Sequence, residues 1–513
     1  MKFEEKGESL KSSAVRGSFW NGLSSLAQKI GGLLFTIIIA RAFLPEGFGI
    51  YSLALSIMLI FATLVRGGMH NALIRYISEA IKERDKKKEI SVFKYILKIK
   101  LVVLIIISTV LLIFSYPISV YIFKKPQLFL PLTLAVVYMF ISSLEYFFTA
   151  FFFAAKKIQH TVTKEIIYQV SRILIIISIL YFFLLKPKAE HIFIAMILAA
   201  SLSLLFIIHK IGKENPYLFS NKTEINNKNR NRIVKFIIFV TFTSLTYTFL
   251  GHTDTIMLGL LLTDIKFIGY YNAAFALLSG IGGFIAFNKV LMPIFVQVKE
   301  KDLETAFNKS LRFNFIITIP AAAGLAFLSG HFLKLFFGAE YMNATPALRI
   351  LSILVVVGVY SELLISLFAA KERPGDYLSL LVFVIVVNTI LNYFFIKYFL
   401  IHTNAIPIIG AAIATSISSI IYAVGLTFIA KKKLNINVNL KSVIKPLSSA
   451  LIMIFVLIFI GHFVNDINIL NGIFLIILGA LIYLFSLIVF KGLEKEDLLL
   501  IKPIFTKFKM FSQ

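Results

Sequence analysis

The chain has 513 residues, of which 58% are hydrophobic and none is cysteine, and its mean hydropathy is +0.88. This excludes a soluble globular domain, because long apolar runs of this kind are bilayer spans, and the missing cysteines exclude disulfides, thiolate zinc sites and iron–sulfur clusters. The net charge of +26 would suggest nucleic acid in a soluble protein; in a membrane protein it reports Lys and Arg gathered on cytoplasmic loops, so no nucleic-acid partner is expected.

Residues 1–16 are polar and mixed in charge, without the apolar core of a cleavable signal peptide. Hydropathy then predicts an all-α polytopic membrane protein of about 14 helices, each of roughly 20 residues, as a ~30 Å hydrocarbon core requires. Six lie near 19–44, 47–67, 99–118, 128–154, 165–185 and 190–209, and form an N-terminal lobe, residues 1–210. The Asn-rich stretch 211–232 has no apolar period and reads as a cytoplasmic linker. Six more, near 233–262, 267–290, 313–337, 346–369, 377–400 and 406–430, form a second lobe, 233–430. Two additional helices near 443–463 and 470–490, with a polar tail, occupy 431–513. Pro45-Glu46-Gly47 separates the first two spans, and Pro126, Pro187, Pro346, Pro374 and Pro407 sit near other helix ends. Pro320, inside the ninth span before Ala321-Ala322-Ala323-Gly324, predicts a kink.

The charges orient these spans. With the N-terminus inside, 39 of the 52 Lys and Arg fall on inner segments and nine on outer ones. The alternation in phase with every loop predicts an even helix count, with both termini cytoplasmic, in a cytoplasmic (inner) membrane.

A repeat supports the two lobes. Phe48-Gly49-Ile50-Tyr51-Ser52-Leu53-Ala54 returns as Ile268-Gly269-Tyr270-Tyr271-Asn272-Ala273-Ala274, and Phe153-Ala154-Ala155-Lys156 as Phe368-Ala369-Ala370-Lys371. Six helices is an even number, so both lobes enter the membrane from the same side and the repeat is parallel, with an axis along the membrane normal.

Ionisable residues inside spans are costly and mark internal cavities or pairs. Seven stand out: Lys29, Arg66, Glu145, Arg172, Asp254, Lys289 and Glu362. Lys29 lies about 15 Å into its helix at 1.5 Å per residue. Arg172 shares a helix face with Gln169. Arg66 and Lys289 lie near cytoplasmic helix ends, where snorkelling competes with function. Asp254, next to His252, is a candidate for carrying Na⁺ or a proton, against pairing with a basic neighbour. Glu145 and Glu362 occupy similar depths in the two lobes and are read the same way. Asn388 and Asn392 share a helix face suited to interhelical hydrogen bonding. The chain has no phosphate-binding G-x-x-x-x-G-K-[ST] loop and no readable Ser-His-Asp or paired-carboxylate constellation. Its outer loops are short, so no enzymatic activity is expected and no cofactor or metal site is predicted.

Ala40-Arg41-Ala42-Phe43-Leu44-Pro45-Glu46-Gly47-Phe48-Gly49 with Tyr51 resembles the first-loop signature of polysaccharide flippases of the multidrug/oligosaccharidyl-lipid/polysaccharide exporter superfamily. Gly67-Gly68-Met69-His70-Asn71-Ala72-Leu73-Ile74-Arg75 resembles the element after the second helix, with glycines where Asp-x-Gly is often found. Asp254 with the Ile268–Ala274 segment, Phe337-Gly338-Ala339-Glu340-Tyr341, and Asn392 leading to Gly410–Ser416 match further elements, over about residues 10–430.

The resemblance implies two six-helix lobes around a central cavity with alternating access. It implies flipping of polyprenyl-pyrophosphate-linked oligosaccharide from the cytoplasmic to the outer leaflet for envelope glycan assembly. The partners it implies are the lipid-linked oligosaccharide and the lipid bilayer, with glycan-assembly enzymes as candidate protein contacts. Lys29, Arg66, Arg172 and Lys289 then suit the pyrophosphate, and Asp254, His252, Glu145 and Glu362 suit coupling to an Na⁺ or H⁺ gradient. The alternative is an ion-coupled multidrug exporter of the same superfamily, moving organic cations.

Overall fold

The computed structural model describes residues 10–182, 187–219, 226–285, 295, 298–402, 406–461 and 469–492, and every regular element among them is helical. Besides short 3₁₀ and π turns, the α-helices in chain order are α1 (Leu10–Lys82), α2 (Lys86–Pro117), α3 (Phe129–Ala154), α4 (Ile158–Phe182), α5 (Ala189–Glu214), α6 (Asn227–Leu261), α7 (Lys266–Ile285), α8 (Glu300–Phe327), α9 (Ser329–Phe337), α10 (Thr345–Leu351), α11 (Leu354–Ala370), α12 (Leu378–His402), α13 (Ile408–Leu434), α14 (Ile444–Gly461) and α15 (Ile469–Val489). Among the described residues 11 helices are long and apolar enough to cross a membrane, or 12 if the bent pair that ends in α11 is one span. The protein is a multi-pass membrane protein.

Each of the fourteen expected spans has a helical counterpart, with boundaries moved for physical reasons. The first two are one helical stretch, α1, broken only at Leu44 (φ 57°, ψ 175°) beside Pro45, where a proline removes one intrahelical bond and clashes with the preceding turn. Several helices start earlier than hydropathy suggests, among them α2 at Lys86, α4 at Ile158, α6 at Asn227 and α8 at Glu300, because charged first turns still form backbone hydrogen bonds. Asp85 caps α2 by accepting from the Lys88 N–H at 3.0 Å. The ninth expected span divides into α8 and the short α9, and the tenth into α10 and α11, bent by 47°. Pro320 lies inside α8.

The chain packs as two compact units, residues 1–272 and 273–513. In the first, α6 runs antiparallel along the second half of α1. The seam is built from small and polar residues. Gly68 lies against the Ile237 carbonyl and donates its N–H to Thr241 Oγ1 at 3.0 Å. Gly67 faces Ser244, the hydroxyls of Thr63 and Thr248 are 2.9 Å apart, and Gly259 faces Leu53. At the far end the two repeat glycines meet: Gly49 lies on the Ile265 carbonyl and beside Gly269 N, and Gly269 lies on the Pro45 carbonyl. A side chain at any of these backbone contacts would overlap a carbonyl, so glycine is what allows this crossing. The last turn of α6 is closed by Lys125, whose ammonium donates to the Gly259 and Leu262 carbonyls at 2.7 Å each and to the Phe123 carbonyl at 3.2 Å. Burial holds that ammonium below the usual lysine range.

In the second unit α12 and α13 approach closely at Gly410, which lies on the Phe395 backbone. Asn388 there donates to Thr415 Oγ1 at 3.3 Å, the interhelical bond read from the sequence, and Asn392 donates to the Asn388 carbonyl at 3.0 Å. Both copies of the second repeat marker lie at a helix ending of the same type, one residue out of register with the marker itself. After α3, Lys156 is left-handed (φ 59°) and the Lys157 N–H reaches the Phe152 carbonyl at 2.9 Å. After α11, Glu372 is left-handed (φ 55°) and the Arg373 N–H reaches the Phe368 carbonyl at 2.9 Å.

Gly68→Val should cost about 1–3 kcal/mol of stability, the usual range for overpacking, seen as a lower thermal transition in detergent and loss of the monodisperse elution peak. Gly251→Ala, where an added Cβ meets nothing within 4 Å, should leave both unchanged.

Candidate functional site

Two polar stripes face each other in the first unit. On α3, Tyr138, Ser142, Glu145 and Thr149 recur at helical spacing; on α4, Thr161, Lys164, Glu165, Tyr168, Gln169 and Arg172 do the same, and all of the α4 set is buried. Lys164 joins the stripes, with its ammonium 2.7 Å from Glu145 Oε1 and 3.1 Å from Glu165 Oε2. Gln169 Nε2 donates to Glu165 Oε1 at 2.6 Å, and the Tyr138 and Tyr168 hydroxyls are 2.8 Å apart.

Arg172 sits at the inner end of this chain. Its guanidinium carbon lies 4.4 Å from the Phe35 ring centre and 5.0 Å from that of Tyr168, a cation held on aromatic faces. Its Nε is buried and makes no hydrogen bond among the described residues. α1 comes this close because Gly31 lies against Gln169 and Gly32 against Arg172. Lys29, three residues before Gly32, is exposed on the same helix.

A second cationic group lies where α1 meets α3. Arg66 Nε donates to Ser143 Oγ at 3.1 Å and its Nη2 to Ser142 Oγ. Lys100 is buried beside it and donates to the Val65 carbonyl at 3.2 Å. His70, one turn further on α1, stacks on Tyr146 with ring centres 3.9 Å apart.

A third group lies on α6 and α7. Asp254 is buried and accepts from the Tyr271 hydroxyl, supplied by the second copy of the repeat. Thr255 Oγ1 donates to Asn272 Oδ1 at 3.3 Å, and His252 Nδ1 lies 3.1 Å from Ser56 Oγ on α1.

The structure thus brings Arg66, Glu145 and Arg172 onto one pair of packed helices with α1. Asp254 and His252 point to different neighbours, Tyr271 and Ser56. Glu145 and Glu362 differ in kind: Glu145 is buried in an ion pair, and Glu362 is exposed with no ion pair among the described residues. Lys289 lies outside the described residues. Lys100, Lys125, Lys164 and Glu165 do not stand out in the sequence, since hydropathy assigns them to loops or helix margins. The polar stripe Thr161-Lys164-Tyr168-Arg172 is the signal that would have found the α4 members.

An all-helical membrane chain that buries charges between its helices has the build of a transporter of the flippase and multidrug-exporter fold. The sequence model of the family described as polysaccharide biosynthesis protein matches residues 14–299. The chain therefore belongs to that family, the polysaccharide flippases of the multidrug/oligosaccharidyl-lipid/polysaccharide exporter superfamily. It is 22% identical over 520 residues to an uncharacterized membrane protein in the cps region of Klebsiella pneumoniae, covering 96% of this chain and 99% of that one. Its fold is similar to the lipid II flippase MurJ in an inward closed conformation (TM-score 0.73, 19% identity, 93% of this chain and 98% of that one). It is also similar to an inward-facing multidrug resistance transporter of the MATE family (TM-score 0.54, 15% identity, 84% and 98%).

Replacing Lys164 by Met leaves Glu145 and Glu165 buried without their shared cation, and should destabilise the protein by about 3–5 kcal/mol, as breaking buried pairs does. Glu145→Gln should cost less, because Lys164 keeps Glu165 at 3.1 Å. Thermal unfolding of the two variants in detergent, side by side, checks the order.

Proposed function

We propose that the chain is an alternating-access secondary transporter, not an enzyme, that flips a polyprenyl-pyrophosphate-linked oligosaccharide from the cytoplasmic to the outer leaflet for envelope polysaccharide assembly. It sits in the cytoplasmic membrane with both termini inside, as the distribution of Lys and Arg supports. The observation that carries the reading is Arg172. Glu145 and Glu165 are taken up by Lys164, whereas Arg172 is a buried guanidinium on two aromatic rings with a donor unused among the described residues. A planar fork of N–H donors in a low-dielectric setting suits a pyrophosphate, which accepts charge-assisted, bidentate hydrogen bonds. An organic cation would be repelled there. Lys29, exposed close by on α1, and Arg66 supply further positive charge for the headgroup.

Proteoliposomes loaded with undecaprenyl-pyrophosphate-linked oligosaccharide test this. Wild type should protect the headgroup from an external glycosidase or probe. Arg172→Ala should slow transfer about 10- to 100-fold, the worth of hydrogen bonds to charged groups at roughly 1.5–3 kcal/mol, and Arg172→Lys should fall between. Well-folded wild type that moves no lipid-linked sugar but takes up a cationic dye would establish the multidrug exporter instead.

Asp254 is the proposed coupling residue for an Na⁺ or H⁺ gradient, because it is a carboxylate buried within a span, where it accepts a hydrogen bond from the Tyr271 hydroxyl. With an imposed Na⁺ or pH gradient, Asp254→Asn should transport at the rate seen without a gradient. Full gradient stimulation in that variant would place coupling elsewhere.

A further inference from the structure

The second unit holds a built basic cavity that the transport reading does not use. The segment after α13 turns at left-handed Asn435 (φ 53°) and is tied across the first turns of α8. Asn308 Nδ2 donates to the Asn437 carbonyl at 2.9 Å, and Asn308 Oδ1 accepts from the Asn439 N–H at 2.9 Å. Glu304 Oε2 accepts from the Asn437 N–H at 3.1 Å. Under this strap, between α8 and the start of α14, lies a cavity of about 440 Å³. Among the described residues, Lys309, Arg312, Lys441 and Lys445 line it, against one carboxylate, Glu304. Lys445 is held in place by donating to the Lys491 carbonyl at 2.8 Å.

Four cations around one carboxylate among the described residues suit an anion, and the cavity's volume falls in the range of small-molecule pockets. The helix that leaves the cavity then indicates the source of the anion. From its first residue α14 presents Ile444, Leu447, Leu451 and Phe455 on one exposed face at helical spacing. A phosphate seated among the lysines would have an apolar strip beside it for its acyl chains. Basic pockets between membrane helices on the side rich in Lys and Arg recognise phosphate headgroups in this way. We infer that this cavity binds the headgroup of an anionic phospholipid, at a site separate from Arg172 and independent of what the protein transports.

The test is lipid retention by the full-length protein, measured by native mass spectrometry after titration with phosphatidylglycerol or phosphatidylcholine. Wild type should prefer phosphatidylglycerol. Lys441→Gln/Lys445→Gln should weaken its binding about 10- to 30-fold, from the worth of two basic residues at an anionic surface, while Lys441→Arg/Lys445→Arg keeps it. Elution profile and thermal transition confirm that each variant is folded. Undiminished preference in a folded Gln variant overturns the site. Inorganic phosphate that competes as well as phosphatidylglycerol, mole for mole, overturns the lipid as its ligand.

Discussion

The packing of the first unit depends on how closely α1 and α6 approach each other. Within a bilayer, lipid tails are as apolar as leucine, so helices gain little from hiding apolar surface against each other and associate through close packing and polar contacts. Gly49, Gly67, Gly68, Gly259 and Gly269 remove the side chains that would separate the backbones. Thr63, Thr248 and Thr241 then come within hydrogen-bonding distance of their partners. Asp254 sits on the same helix as this seam, and its donor Tyr271 stands two residues after Gly269. The glycine that permits the crossing and the phenol that meets the carboxylate thus belong to one short segment.

A bilayer penalises every charge left inside it, and this protein meets that penalty in different ways. Lys164 is neutralised by two carboxylates. Lys100 spends a donor on the Val65 carbonyl, as Lys125, just outside the spans, does on the last carbonyls of α6, which have no helical partner. Arg172 is treated differently, resting on the rings of Phe35 and Tyr168. Aromatic faces favour a cation without neutralising it, so its charge remains available to an anion. This contrast separates charges that hold the helices together from one suited to a ligand.

The length of the apolar runs and the alternation of Lys and Arg were enough to read an all-helical, multi-pass membrane protein, because bilayer thickness imposes span length residue by residue. The family resemblance was likewise legible in local segments such as Ala40–Gly49. The repeat was visible as text, but its physical content was not. Gly49 and Gly269 read as a matching pair; only the packed structure shows that they touch, and that Phe153–Lys156 and Phe368–Lys371 both lie at helix ends of one type, one residue out of register.

The candidate site was legible only as a set of charges at depth. Sequence picks out an ionisable residue in an apolar run because the run itself makes it conspicuous, which is why Arg172, Glu145 and Asp254 were readable. It passes over Lys100, Lys125 and Lys164, whose neighbours are polar enough to resemble a loop. Which charge meets which partner depends on contacts between residues far apart in the chain: Lys125 with Gly259, His252 with Ser56, Arg66 with Ser142 and Ser143. The sequence by itself determined that charges would be buried and roughly where. Only the tertiary structure decided that Glu145 is neutralised, that Glu362 is exposed and that Arg172 rests on aromatic rings, because neutralisation is a property of distance between helices and not of position along one.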